Sequence, residues 1–150
     1  MPQSLANILV HLVFSTKERR RFIRDDVRER LHAYIVGILE NQQSPSLITN
    51  SVADHIHILF ALSKNLSLAK VVQEVKQGSS KWIKEQDGDY RSFAWQNGYA
   101  AFSVSESQRD VVSEYVRKQA EHHAKVSFED ELRQFFDKHG VKYDERYVWD

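Results

Sequence analysis

The feature that most restricts the fold is the order in which the hydrophobic period changes along the chain. Leu5 to Ser15 (LANILVHLVFS) is rich in β-branched and apolar residues without helical spacing, which suits a buried first strand. Asp25 or Asp26 then caps a helix to about Glu40, with Val27, Leu31, Tyr34, Ile35, Ile38 and Leu39 at helical spacing. Ser44-Pro45-Ser46 punctuates, and two β-rich runs follow, Leu47 to Val52 and His55 to Leu62. Only Ala53 and Asp54 separate them, which allows a tight hairpin or one bent strand. Ser67 opens a second helix through Ile83, with Gly78-Ser79-Ser80 weakening its middle. A strand pair is expected around Asn97-Gly98, ending at Val104. Ser105 and Gln108 form a capping box for a third helix to about Lys125, and a last helix runs from Ser127 to Gly140. Strand, helix, strand, strand, helix, strand, then helices, is the order of an α+β protein. The expectation is a ferredoxin-like (RRM-like) antiparallel sheet with helices packed on one face.

Length and composition limit the chemistry. At 150 residues the chain reads as one globular domain, 1–150, without repeats or linkers. No stretch reaches the roughly 20 apolar residues of a membrane helix, and basic residues follow the first apolar run, the reverse of a secretory signal. A soluble, cytoplasmic protein with no membrane partner is expected. With no cysteine, chemistry falls to His, carboxylate, amide, hydroxyl and phenol groups. The net charge is zero, so any nucleic-acid signal must be local. From Lys17 to Arg30 seven basic residues face four acidic ones, and from Lys64 to Lys84 five lysines face Glu74 alone. Arg19, Arg20, Arg21, Arg24 and Lys76 are the candidates for phosphate contacts, against the plainer reading of solvated helix faces.

Two short motifs carry the chemistry. His55-Ile56-His57 starts a strand pattern, and strand alternation projects both imidazoles from one face, half of a metal site. Asp54 would point away from His55 on a regular strand, so further ligands must come from elsewhere. On the third helix Tyr115 and Gln119 lie one turn apart on one face, and the spacing continues to His122 and His123. A tyrosine can attack phosphorus and an amide oxygen can bind a hard metal, although a core tyrosine fits the same spacing.

Taken together, NSVADHIHIL (Asn50 to Leu59), WQNGYAAFSVS (Trp95 to Ser105), YVRKQ (Tyr115 to Gln119) and the closing YDERYVWD resemble the single-tyrosine HUH transposases of small bacterial and archaeal insertion sequences. Ala100 stands where many relatives carry glycine. The resemblance implies an HUH endonuclease fold and metal-dependent cleavage and rejoining of single-stranded DNA through a 5′-phosphotyrosine. It implies Tyr115 as nucleophile and His55, His57 and Gln119 as ligands of Mg²⁺ or Mn²⁺. It also implies a homodimer acting on single-stranded DNA with hairpins near the element ends. Rival expectations are a domesticated, repeat-associated tyrosine transposase acting on host hairpins, a metal-dependent hydrolase, and a non-catalytic module stacking bases on Phe93, Trp95, Tyr99 and Phe102.

Overall fold

In the computed structural model, which describes residues 2–150, strand alternation sorts every central strand into two chemically different faces. The elements are β1 (Leu9–Ser15), α1 (Asp25–Asn41), β2 (Ser46–Ser51), β3 (His55–Ala61), α2 (Leu68–Lys84), β4 (Ala100–Val104), α3 (Arg109–Arg117), α4 (Gln119–His123) and α5 (Phe128–His139). The strands lie in the order β2-β3-β1-β4, each pair antiparallel, which is the ferredoxin-like arrangement of two interleaved β-α-β units. On one face Val10, Leu12 and Phe14 of β1 and Ile56, Ile58 and Phe60 of β3 form the principal core. Val27, Leu31, Ile35 and Leu39 of α1 and Val71, Val72, Val75 and Ile83 of α2 close over them. Each such side chain contributes roughly 1.5–3 kcal/mol by leaving water, so this layer dominates stability.

The helix α2 runs unbroken through Gly78-Ser79-Ser80 because tertiary contacts use those small residues. A Cβ on Gly78 would lie 2.8 Å from Ile38 Cδ1, so the glycine is where α1 approaches closely. Ser79 Oγ donates to the Val75 carbonyl at 2.6 Å and accepts from Trp95 Nε1 at 2.9 Å. A local helix weakness has become a packing seat.

The α+β class stands, but the expectation of helices on one face holds only for α1 and α2. The second face carries Val13, Ala100 and Phe102, and Phe128, Leu132 and Phe136 of α5 cover them in a second cluster. Apolar residues on both faces require cover on both sides. The expected strand pair around Asn97-Gly98 is a single strand, β4, with one isolated bridge between Thr16 and Trp95. The intervening loop is instead held by Lys76, whose ammonium donates to the carbonyls of Gln96 and Gly98 at 2.7 and 2.5 Å. Ser105 does not form the expected capping box. Its hydroxyl bonds Ser107, and a short 3-10 turn precedes α3. The expected long third helix breaks at Lys118 (ψ 20°), giving α3 and α4. Asn50 on β2 anchors the break, its amide donating to the Val116 and Arg117 carbonyls at 2.9 and 3.1 Å. The last helix begins and ends as its sequence requires, with Ser127 Oγ accepting from Asp130 N and Gly140 left-handed at φ 66°. Among the described residues no helix is long and apolar enough to cross a membrane.

Candidate active site

The strand pair β2–β3 closes as a tight hairpin across Ala53 and Asp54, with Val52 N donating to the His55 carbonyl at 3.1 Å. This fixes the register that sends Ile56 into the principal core and both His55 and His57 to the opposite face. Their ring centroids lie 5.3 Å apart, and the two are 1% and 0% exposed. Asp54 sits in the turn, where alternation fails. Its Oδ1 therefore reaches His55 Nδ1 at 2.7 Å, contrary to the expectation that it points away. His55 Nδ1–H donates to that carboxylate, which leaves Nε2 with a bare lone pair facing the site.

Three helices from the chain's last third, α3, α4 and α5, complete the arrangement. Glu131 of α5, 1% exposed, places Oε1 at 3.0 Å from both His57 Nε2 and His123 Nε2, and 3.7 Å from His55 Nε2. His123 Nε2 lies 2.9 Å from His55 Nε2. The other carboxylate oxygen, Oε2, accepts the Tyr115 hydroxyl and lies 3.4 Å from His122 Nε2. Ligand atoms of His55, His57, His123 and Glu131 all fall within 4.8 Å of one another. Gln119 is fully buried, its Nε2 donates to the Tyr115 carbonyl at 3.3 Å, and its Oε1 has no hydrogen-bond partner. The converging imidazole and carboxylate donors fit a divalent cation, and one turn from Tyr115 the Gln119 amide oxygen is buried without a partner.

The electrostatics follow from burial and from Glu131. Burial alone would raise the Glu131 pKa, but His57, His123 and the Tyr115 hydroxyl reverse this and hold the carboxyl ionised, well below its usual range. Tyr115 is pushed well above 10, first by burial and then by the Glu131 charge it donates to. Burial lowers His57 to about 4, against the opposing pull of Glu131. A neutral His57 donates Nε2–H to Glu131, so its Nδ1 accepts from His11 Nε2–H at 2.8 Å. His123 is the imidazole that gains proton affinity, because Glu131 outweighs the burial that lowers it.

A stability profile follows from the neutral imidazoles. His57 and His32, each lowered from 6.5 to about 4 chiefly by burial, take up protons in the unfolded chain below about pH 6.5 but in the folded protein only near pH 4. Their contribution is whole above pH 6.5 and is lost as pH falls through that window. His57 alone accounts for roughly 2 kcal/mol at pH 5, while His123 acts with opposite sign. We expect the thermal midpoint of the metal-free protein to fall by at least about 5 °C between pH 7 and pH 5. Calorimetry showing a flat midpoint would contradict the neutral assignment.

Of the arginines expected at DNA, Arg19 and Arg21 line a polar cleft of about 540 Å³ together with Arg28, Asp54 and His123, beside the histidine cluster. Arg19 also pairs with Glu129 at 2.5 Å, and Arg20 is exposed near Glu18 at 3.6 Å. Arg24 is turned elsewhere, to Asp87 and Asp89 at 3.4 and 2.9 Å. Lys76 is committed to the loop before β4, and burial lowers its pKa to about 8. Phe93, Trp95 and Phe102 are 1%, 7% and 3% exposed, so they serve the cores and offer no stacking platform.

Sequence reasoning missed Glu131, His11 and the part played by His123. Glu131 stands on the apolar stripe of Phe128, Leu132 and Phe135, one place where a carboxylate cannot be solvated. Beside Glu129 and Asp130 in a first helical turn it reads as dipole complement, which hid it. His11 interrupts an otherwise apolar strand at a position facing the site.

The architecture is shared with solved transposases. A crystal structure from Deinococcus radiodurans R1, of a protein assigned as a transposase, matches with a TM-score of 0.62 at 19% identity, covering 79% of this chain and 98% of that one. A REP-associated tyrosine transposase solved bound to a REP hairpin matches with a TM-score of 0.61 at 11% identity, covering 84% of this chain and 76% of that one. The sheet and its helices thus define a protein with the tyrosine-transposase fold. The family model "Transposase IS200 like" matches residues 4–119. The transposases of insertion sequence element IS200 from Salmonella typhimurium and Salmonella typhi are each 28% identical over 120 residues, 77% of this chain and 78% of theirs. The chain belongs to the family of IS200-like transposases.

Proposed function

We propose that this transposase cuts and rejoins single-stranded DNA with Tyr115 as nucleophile. The observation that carries the reading is that Tyr115 donates its hydroxyl to the same buried carboxylate that touches His57 and His123. A tyrosine serving only the core would be expected to find a partner away from a cluster of convergent metal-type donors. His55, His57 and Gln119 would hold Mg²⁺ or Mn²⁺, which when bound neutralises charge building on a non-bridging phosphate oxygen. The phenol oxygen attacks phosphorus in line, the bond to the 3′ oxygen breaks, and a 5′-phosphotyrosine and a free 3′-OH result. A later 3′-OH reverses the step, so rejoining needs no external energy source. Glu131 keeps the hydroxyl oriented and protonated until substrate enters, since the Tyr115 pKa is raised while the two are paired.

The substrate in this reading is single-stranded DNA with hairpins near the element ends, handled in the cytoplasm by a homodimer. The dimer rests on the family, because α3 already reaches β2 and β3 within one subunit. A closer variant, a repeat-associated enzyme acting on host hairpins, is favoured by the likeness to the hairpin-bound transposase. Incubation with a single-stranded element end and Mn²⁺, followed by denaturing electrophoresis, tests the chemistry. A covalent protein–DNA adduct is expected, and its absence with a cognate end would defeat the proposal. Competing element-end and host-repeat hairpins in that assay separates the two substrates.

Phosphate contacts are assigned to Arg19, Arg20 and Arg21, with Arg24 and Lys76 reaching DNA only by leaving their present partners. Charge reversal of Arg20 and Arg21 is expected to weaken single-strand affinity by about tenfold or more and to flatten its salt dependence by roughly 0.7 per lost contact. Unchanged affinity across a salt series would remove these arginines from the interface.

A further inference from the structure

We infer that His123 and Glu131 are metal ligands in the same subunit as His55 and His57, and that the resulting three-imidazole, one-carboxylate centre takes a first-row transition ion in strong preference to Mg²⁺. This rests on the proposed roles of the histidine pair and of Gln119, which stays a further oxygen donor, and adds to them two ligands and an ion class. The three imidazole Nε2 atoms and Glu131 Oε1 stand at separations of 2.9, 3.0, 3.0 and 3.7 Å where hydrogen-bond or ion-pair contacts join them. Donors held about 2.1 Å from a tetrahedral ion are about 3.4 Å apart, so the four atoms already have nearly the spacing of a coordination shell.

The far side of each strand imidazole supports the same reading. His55 Nδ1 donates to Asp54 at 2.7 Å, and His57 Nδ1 lies 2.8 Å from His11 Nε2, which can accept its proton when His57 Nε2 turns to a metal. Ligating histidines are commonly fixed through their other nitrogen in this way, which sets ring orientation and strengthens the donor. All four residues are nearly or largely buried, and α5 seats Glu131 by packing Phe128 and Leu132 on either side of it along the helix. Nitrogen-rich sets favour Co²⁺, Zn²⁺ and other later first-row ions most, and hold even Mn²⁺ ahead of Mg²⁺, which prefers oxygen ligands and retained water.

The test is metal binding by the full-length, metal-stripped protein, followed by Mn²⁺ electron paramagnetic resonance and by calorimetric titration with Mn²⁺ and Mg²⁺. Wild type should bind Mn²⁺ at least about 100-fold more tightly than Mg²⁺. Glu131→Gln, which keeps the shape of the side chain, and His123→Ala should each weaken Mn²⁺ by about tenfold or more while circular dichroism shows a folded chain. Pulsed resonance on the wild-type complex should count three coordinated imidazole nitrogens, a result that needs no variant to fold. Two nitrogens, equal affinity for Mg²⁺, or folded variants that bind Mn²⁺ like wild type would overturn the inference. His57→Ala distinguishes the two levels. If it alone weakens binding, the histidine pair stands and the added ligands fall, whereas unaltered Mn²⁺ binding by His57→Ala defeats both.

Discussion

Tyr115→Phe is expected to abolish the covalent DNA adduct and to reduce strand cleavage by at least about 10³-fold, with single-strand affinity nearly unchanged. The substitution removes one oxygen. The ring keeps its edge contacts with His57 at 5.9 Å, Phe135 at 5.5 Å and His122 at 5.1 Å between centroids, so the packing of α3 is retained. Glu131 loses one donor but keeps His57 and His123, so stability should change by no more than about 1–2 kcal/mol. A tyrosine that served only the core would give the reverse, a small stability loss with cleavage intact. Quantifying adduct on a denaturing gel beside thermal midpoint and DNA affinity separates the cases. If the phenylalanine variant still forms adduct, another tyrosine attacks and the site is misassigned.

The second large effect is expected at His57. His57→Ala deletes a proposed ligand and strands two partners, His11 and the Glu131 carboxylate, each of which bonds the ring directly. Cleavage should fall by at least about 10³-fold and resist recovery at high Mn²⁺, because a remaining single strand histidine cannot rebuild the pair. Gln119→Ala makes the informative contrast. Truncation gives up the 3.3 Å bond from Nε2 to the Tyr115 carbonyl and leaves a buried void, so the thermal midpoint falls, but Oε1 abandons no protein partner and raising Mn²⁺ should partly restore cleavage. Metal titrations of cleavage rate for the two variants would show parallel, unrescued curves if Gln119 and His57 were equivalent, and that outcome would refute the ranking.

Much of this arrangement is legible in the residues. The period changes fix β1, α1, β3 and α2, because a strand buried on both sides and an amphipathic helix impose unlike patterns. The shared face of His55 and His57 follows from alternation alone. What escaped was decided by tertiary partners. Lys118 breaks the third helix because Asn50, distant in sequence, takes the α3 carbonyls. Asp54 reaches His55 because the turn between β2 and β3 lies outside the alternating pattern. The second-face cover was missed because an apolar residue in a strand does not announce which layer will meet it. In the sequence Lys76 groups with the other lysines as a phosphate contact, yet three backbone carbonyls nearby satisfy it. A charge in sequence carries no mark of whether a loop will return to claim it.

The alternation on β3 has a bearing on inheritance. Odd-numbered His55 and His57 serve the site and even-numbered Ile56, Ile58 and Phe60 serve the core, so one strand is read twice in opposite phase. Point substitutions can erode either reading separately, and a lineage can therefore lose chemistry while keeping its fold. A single-codon insertion or deletion within the strand cannot. It would send imidazoles into the apolar layer and isoleucines to the histidine-bearing face together. Descendants of this chain should accordingly tolerate length variation around the Asp87–Asn97 loop but show an invariant count of residues from His55 to Phe60, whether or not they keep the histidine pair's chemistry.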